Sequence, residues 1–326
     1  MIKIYSRRGN TTELIEAQSE SDFPSGVAWV DLVTPTAAEL DMVQKYYNIE
    51  IPSKKEVWKN NVLNRLYAEE NIAYMTAALI TKSGTPYPDT AAVTFILGPD
   101  FLLTVHDIDP TSFRNLGARL FKSAYLFQSS ANLAEALFEE MIIRVAYNSE
   151  QVVTMLDELS HGIFATDIFL DKKVKNTTSL MKSTLKSLGN AADLNSKINE
   201  SLHSISRMLI FFKQYTHNEP AQNSIIDMLS SDAQALITQS AFLSDKITFQ
   251  LDATLGMINV EQNLIIKIFS IFTIFFLPAT LVSSIYGMNF THMPELHWVM
   301  GYPFALTLMA ICAIVPQIYF RKKGWL

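Results

Sequence analysis

The sequence is poor in cysteine: Cys312 is the only one in 326 residues. A single cysteine excludes an internal disulfide framework and any zinc site built from several cysteines. The opening stretch "MIKIYSRRGNTTELIEA" has no apolar core of a secretory signal, so no cleavable signal peptide is predicted. The G-x-x-x-x-G-K-[ST] pattern of a nucleotide-binding P-loop is also missing, as are catalytic nucleophile and metal motifs. We therefore expect neither an ATP-driven pump nor an enzyme, and no organic cofactor.

Charge is missing from two long stretches near the C-terminus. No Asp, Glu, Lys or Arg occurs between residues 268 and 294, or between residues 298 and 320. A helix needs roughly 20 apolar residues to cross a hydrocarbon core about 30 Å thick. The sequence therefore predicts two transmembrane helices, over residues 264–286 and 301–320. The formal net charge of -6 argues against a nucleic-acid partner.

The basic residues near these spans predict their orientation. Lys267 stands at the start of the first span, and Arg321, Lys322 and Lys323 follow the second span directly, whereas the link at residues 287–300 contains no Lys or Arg. Basic residues favour the cytoplasmic side. Both termini are therefore predicted to be cytoplasmic in a multi-pass plasma-membrane protein, which is the inner membrane if the cell is bacterial. The four basic residues would set this topology and contact lipid headgroups.

The first 110 residues have the pattern of a small α/β domain. Residues 27–35 alternate like a strand, and Thr36 is placed to cap a following helix. The apolar run at residues 91–107, "AAVTFILGPDFLLTVHD", is predicted to fold as a hairpin around Gly98, Pro99 and Asp100. No proline occurs between Pro110 and Pro220, which favours long helices.

A third helix is predicted to begin at Pro220 and to continue to Tyr286 without leaving the helical conformation. Its 67 residues would span about 100 Å. Such a helix alone has no core, so we expect it to bundle with copies of itself. The predicted fold class is α+β, divided as follows: a cytoplasmic α/β domain at 1–110, a cytoplasmic long-helix region at 111–219, a stalk helix continuing as the first span at 220–286, an external loop at 287–300, the second span at 301–320, and a basic cytoplasmic tail at 321–326.

Small polar residues recur along one seam of the third helix, with spacings of three, four and seven residues. Such a repeat suits a left-handed helical bundle. One interpretation is that the hydroxyl groups only help membrane helices to pack. The other is that symmetry turns each position into a ring of oxygens facing a hydrated cation. Spacing leaves both open for the seam, whose members are Asp252, Gly256, Asn259, Asn263, Ser270, Thr273, Leu277, Thr280 and Ser284.

The motif "YGMNF" at residues 286–290, followed by "MPEL", "GYP" and the basic ending "FRKKGWL", resembles the CorA magnesium transporters of the two-transmembrane GxN type. Motifs shared with this family are frequent from about residue 255 to 326, and few stand out in the preceding residues. The resemblance implies a homopentamer with a funnel-shaped cytoplasmic domain, in which the stalk helix becomes the pore-lining span. It also implies passive uptake of Mg²⁺, together with Co²⁺ and Ni²⁺, through a pore that cytoplasmic Mg²⁺ closes.

The resemblance further implies roles for individual residues. The selectivity filter would be Gly287, Met288 and Asn289. The pore lining would be Asp252, Asn263, Ile266, Phe269, Thr273, Leu277, Thr280 and Ser284, with Phe269 bulkier than the aliphatic residue common at that depth. Regulatory Mg²⁺ would bind Glu56 in one protomer, with Asp227 and Asp232 of the next. Glu295 is the only carboxylate of the external loop.

Two rival functions remain. A ZntB-like zinc transporter has the same architecture, but it usually varies the middle residue of the GxN signature, so Met288 favours magnesium. A membrane-anchored helical scaffold without conduction would explain the long helix but not the uncharged polar seam.

Overall fold

The computed structural model describes residues 1–8, 11–52, 66–85, 87–122, 124–164, 177–216, 220–289 and 292–323. Within these residues the chain divides into two compact units, Met1–Asp252 and Ala253–Leu326. The boundary falls inside the longest helix, Pro220–Tyr286.

The first unit is built on a seven-stranded sheet among its described residues. The strands are β1 (Ile2–Arg8), β2 (Thr11–Ala17), β3 (Ala28–Val33), β4 (Leu66–Glu69), β5 (Ile72–Thr81), β6 (Asp89–Leu97) and β7 (Phe101–His106). Their spatial order is β2-β1-β3-β7-β6-β5-β4, and each neighbouring pair is antiparallel except β3 and β7, which are parallel. The predicted hairpin is confirmed as β6 and β7. Gly98 is required at its turn because a Cβ atom there would lie 2.2 Å from the ring of Phe101.

Six α-helices accompany the sheet in the described part of the chain. They are α1 (Ala37–Tyr47), α2 (Thr111–Leu120), α3 (Ser130–Phe164), α4 (Thr177–Tyr215), α5 (Pro220–Tyr286) and α6 (Gly301–Lys322). The predicted cap of α1 is confirmed: the Thr36 hydroxyl accepts a hydrogen bond from the Glu39 N–H at 3.3 Å, and the Glu39 carboxylate accepts one from the Thr36 N–H at 2.8 Å. The Thr36 N–H is the main reason why the pKa of Glu39 lies below its usual value, and the N-terminal ammonium adds to the effect.

The sheet separates two hydrophobic cores, because successive side chains of a strand point to opposite faces. On β5, Met75 is buried in the core that contains residues of α2, α3 and α4, while Tyr74 is buried in the core that contains residues of α1. Trp29 and Val30 of β3 divide between the two cores in the same way. Both faces of the sheet are therefore covered.

The part of α5 in the first unit packs against its own chain, so the expectation that this helix has no core without copies of itself is wrong there. Ile226, Leu229 and Ala233 are buried in the same core as α3 and α4. The Asn195 amide of α4 donates to the Ser240 carbonyl oxygen at 2.9 Å, and the Gln250 amide donates to the Leu156 carbonyl oxygen of α3 at 2.9 Å. The apolar residues at helical spacing in the first part of α5 thus pack against α3 and α4 of the same chain.

The second unit holds the rest of α5 and helix α6. In the part of the chain that the structure describes, α5 and α6 are the two helices long and apolar enough to cross a membrane, by length and composition. A single turn of 3-10 helix, Pro294–His297, lies between them.

Candidate functional site

The candidate ion pathway is a stripe along the part of α5 in the second unit. Its large apolar members are strongly exposed in the single chain: Ile266 is 61% exposed, Phe269 68% and Leu277 60%. The polar members Asn263, Thr273, Thr280 and Ser284 are exposed as well. Apolar side chains of this size are normally buried in a soluble monomer. The stripe therefore requires lipid or other protein chains around it.

The two threonine hydroxyl groups of the stripe donate to carbonyl oxygens of their own helix. Thr273 Oγ1 donates to the Phe269 carbonyl oxygen at 2.9 Å, and Thr280 Oγ1 donates to the Phe276 carbonyl oxygen at 2.8 Å. A hydroxyl has one proton to donate and two lone pairs that accept. Since the proton is engaged within the helix, each oxygen presents only acceptor capacity to its surroundings.

Helix α5 ends where the GxN motif begins. The Gly287 N–H donates to the Ser283 carbonyl oxygen at 3.0 Å, and the Met288 N–H donates to the Ile285 carbonyl oxygen at 3.2 Å. A Cβ atom on Gly287 would lie 3.3 Å from the Ser283 oxygen, so glycine eases this tight turn. Asn289 follows in exposed, non-helical chain. Its amide is therefore free of the helical ladder and directly next to the end of the stripe.

The second membrane helix lies beside a different face of α5. A cavity of about 330 Å³ lies between Lys267, Ser270 and Ile274 of α5 and Ala313, Gln317 and other residues of α6. None of the described members of the predicted pore lining borders it. Ser270 does border it, so this seam member, unlike Thr273 and Thr280, lies beside α6.

Three of the four predicted basic residues lie at the C-terminal end of α6, and Lys267 lies within α5. Arg321 and Lys322 form the last turn of α6, and the Lys323 ammonium lies 5.6 Å from the centre of the Tyr319 ring. Cations are favoured at a helix C-terminus, where carbonyl groups lack partners. Glu295 lies in the short 3-10 helix of the loop.

The regulatory candidates are predicted to meet between protomers, and the described part of the chain contains two of the three. Glu56 lies outside the described residues. Asp227 forms an ion pair with Lys213, and Asp232 is exposed at the same end of α5. The described residues contain no group of three or more His, Cys, Asp or Glu side chains placed to hold a metal ion. The sequence analysis did not identify Lys213. A basic residue in the last turn of α4 could have indicated an ion pair with an acidic residue near the start of α5.

Asp252 is the last residue of the first unit and is exposed. It thus offers an unburied carboxylate on α5, without a salt bridge among the described residues.

Comparison with known proteins gives a consistent result. The family model described as CorA-like Mg2+ transporter protein matches residues 24–322. The chain is 32% identical to the magnesium transport protein CorA of Haemophilus influenzae, over 97% of this chain and 98% of that protein. It is 28% identical to the magnesium transport protein CorA of Yersinia pseudotuberculosis, over the full length of both.

The fold also matches a solved structure, the complete CorA magnesium transporter from Methanocaldococcus jannaschii. The TM-score is 0.76 at 18% identity, and the match covers 100% of this chain and 99% of that one. At this identity the match bears on the fold, which is shared along the whole chain.

Proposed function

This chain belongs to the CorA-like Mg²⁺ transporter family, whose members are membrane-embedded transporters and not enzymes, and we propose that it admits Mg²⁺ passively through a pore lined by the stripe of α5. Its relatives carry the name magnesium transport protein. The chain has two helices long and apolar enough to cross a membrane, as such a protein needs.

The observation that carries the proposal is that both threonine hydroxyls donate within the helix. A hydrated Mg²⁺ ion presents only O–H donors to its surroundings, because its water oxygens point at the metal. Thr273 and Thr280 present only acceptors, since both protons are bound to carbonyl oxygens of the helix. Rings of such oxygens match the outer surface of the hydrated ion without a buried carboxylate.

Asn289 is proposed as the first selector, with Gly287 and Met288 holding the turn that presents it. Mg²⁺ loses water reluctantly and prefers octahedral oxygen geometry. A ring of neutral amide oxygens would hydrogen-bond the ion's water shell and leave the shell in place. Ser284 and Asn263 would add further neutral rings along α5, while Asp252 and Glu295 would attract cations from either side.

A pore of this kind needs several copies of the chain. The exposed apolar members of the stripe support assembly, because α6 lies beside another face of α5 and leaves them open. We propose a homopentamer, following the resemblance in the GxN motif. The apolar rings at Leu277, Phe269 and Ile266 would then close the pore by excluding water.

Closure by cytoplasmic Mg²⁺ is proposed to act through Glu56, Asp227 and Asp232. An ion that binds the closed state better than the open state shifts the population toward closure. The ion pair between Asp227 and Lys213 adds a constraint. Mg²⁺ has to displace the Lys213 ammonium before it reaches this carboxylate.

The orientation with both termini in the cytoplasm gives the flux its direction. An inward ion gains about 2.3 kcal/mol per charge across 100 mV, or about 4.6 kcal/mol for a divalent ion. No nucleotide is needed to drive uptake. Co²⁺ and Ni²⁺ form similar hydrated octahedra and are proposed to pass as well.

Metal uptake into liposomes tests the proposal. The assay compares wild type with Asn289→Ala and with the control Asn115→Ala. Asn115 is an exposed asparagine of α2. All three proteins are reconstituted at equal density under an inside-negative potential. We expect Mg²⁺ flux for wild type and the control, and a loss of about 5- to 30-fold for Asn289→Ala, from one to two lost hydrogen bonds of about 1 kcal/mol each.

The same measurement separates the rival functions. Zinc flux without magnesium flux would favour a zinc transporter. Absence of any metal flux in wild type, or equal flux in wild type and Asn289→Ala, would favour a scaffold that does not conduct.

A further inference from the structure

A small polar cavity lies inside the first unit, away from the stripe of α5. Its volume is about 90 Å³, and it lies between the end of β5, the chain leading into α2, and the middle of helices α3 and α4. One water molecule occupies about 30 Å³ of liquid. The cavity therefore has room for a few waters or for one small ion, and it is too small for a nucleotide.

Two buried side chains that line the cavity lack hydrogen-bond partners among the described residues. Asn148 of α3 is 1% exposed, and neither its Nδ2 nor its Oδ1 is paired; Ser201 of α4 is fully buried, and its Oγ is unpaired. A buried polar group without a partner is costly to the fold, and native proteins rarely leave one unpaired. Three polar atoms from two different helices thus require a partner inside the same cavity.

The surroundings of the cavity are positive. Arg144 and Lys82 line it, and so do Thr111 and Ser112 in the first turn of α2. The residue before them, Pro110, provides no side-chain cap. The first N–H groups of a helix have no partner within it, and they carry a partial positive charge that favours anions.

Among the described residues one carboxylate lines the cavity, and it pairs with an arginine. Asp109 lines the cavity, and its Oδ2 accepts a hydrogen bond from Arg114 at 2.8 Å. The Arg144 guanidinium donates to the Ser83 hydroxyl at 3.2 Å, which holds it at the rim. A metal cation would meet two basic side chains and a helix N-terminus, whereas an anion would meet favourable charge.

We propose that this cavity is a binding site for free inorganic phosphate. Asn148 Nδ2, Ser201 Oγ and the N–H groups of Thr111 and Ser112 donate to its oxygens, and Arg144 supplies charge. Asn148 Oδ1 needs a donor, and the protonated oxygen of hydrogen phosphate provides one. Sulfate has no such proton at neutral pH, so the site prefers phosphate to sulfate.

Equilibrium dialysis of the full-length protein in phosphate-free detergent, with radiolabelled inorganic phosphate as the probe, tests this site. Wild type is compared with Arg144→Gln, Asn148→Leu and Ser201→Ala, and with the control Arg207→Gln, an exposed arginine of α4 outside the cavity. We expect one saturable site per chain in wild type and in Arg207→Gln. In Arg144→Gln and Asn148→Leu the Kd should rise at least about tenfold, with a smaller rise in Ser201→Ala.

Two competitors identify the ligand further. Sulfate should displace phosphate more weakly than unlabelled phosphate does. Glycerol phosphate, which has the chemistry of a lipid headgroup, should also compete weakly because the cavity has no room for the glycerol.

Several results would overturn the proposal. The first is absence of saturable phosphate binding to wild type, which would mean that water fills the cavity. The second is an equal loss of phosphate affinity in Arg144→Gln and Arg207→Gln. The third is competition by sulfate or glycerol phosphate as strong as that by unlabelled phosphate. Circular dichroism and thermal unfolding of each variant check that it folds. If Asn148→Leu does not fold, Ser201→Ala and Arg144→Gln still decide the result.

Discussion

The orientation of the Thr280 hydroxyl gives a sharp test of the proposed pathway. Thr280→Val replaces the hydroxyl by a methyl group of similar size and removes the acceptor oxygen. Thr307→Val is a matched control, because Thr307 of α6 is also exposed and also donates to a carbonyl oxygen four residues earlier, that of Pro303, at 2.8 Å. The two variants therefore lose the same local hydrogen bond in a membrane helix.

The expected difference follows from the number of acceptors that the ion's water shell loses. A hydrogen bond contributes about 1 kcal/mol net. A hydrated ion passing a ring at Thr280 would lose one or two such bonds at a time, and each 1.36 kcal/mol is a factor of ten in rate. Mg²⁺ flux should therefore fall about 5- to 30-fold in Thr280→Val and change less than about twofold in Thr307→Val.

Reconstituted liposomes loaded with a Mg²⁺-sensitive dye provide the assay, with thermal unfolding in detergent as the check on stability. Both variants should unfold near the wild-type temperature, because each lost bond lies within a helix. Equal fluxes in the two variants would refute the reasoning, whether both were reduced or both were unchanged. The hydroxyl groups would then serve packing alone.

Three other outcomes are expected. Lys213→Gln should make Mg²⁺ close the pore at lower cytoplasmic concentration, because it frees Asp227; unchanged sensitivity in the flux assay would remove Asp227 from the proposed sensor. Phe269→Ala should raise flux in high internal Mg²⁺, since a smaller ring excludes water less well; unchanged flux there would assign the side chain to packing. Glu39→Gln should lower the free energy of unfolding, measured by denaturant titration, at pH values above the usual carboxylate pKa of about 4.3. The difference from wild type should vanish as the pH falls through the lowered pKa of Glu39, because a group with a depressed pKa stabilises the fold only while it is ionised. A difference that persisted at low pH would contradict the bond from Thr36.

Local signals in the sequence predicted the ends of several elements. Thr36 with Glu39 forms the capping box that its spacing indicates, and α5 begins at Pro220, where proline suits a first turn. The end of α5 at Tyr286 also follows from the sequence, because Gly287 comes next and the apolar run stops soon after. Such signals are local, so no tertiary information is needed to see them.

The missed features depend on contacts between distant residues. The parallel pairing of β3 with β7 joins residues about 70 positions apart, such as Val30 and Leu103, and no local pattern specifies it. The apolar positions of the first part of α5 looked like a surface for other copies. They instead face α3 and α4, because a helical period shows that a face is buried but not what buries it.

In the candidate site, too, the sequence predicted some features and missed others. Periodicity placed Thr273 and Thr280 on one seam, and the structure adds the direction of their protons, which periodicity does not specify. Ser270 fits the same seven-residue repeat but lies beside α6. The position of α6 could not be derived from the repeat of α5 alone.

The absence of charge along the stripe is itself consistent with conduction rather than storage. A carboxylate ring at membrane depth would bind a divalent ion strongly, and the ion would have to break that attraction to leave. Neutral oxygens that hydrogen-bond the ion's water shell contribute only about 1 kcal/mol per contact. A membrane potential of 100 mV supplies about 4.6 kcal/mol to the same ion. Because the driving force exceeds the loss of any few contacts, an ion in the proposed pore could move from ring to ring. The acceptor-only orientation of Thr273 and Thr280 would leave its water shell in place.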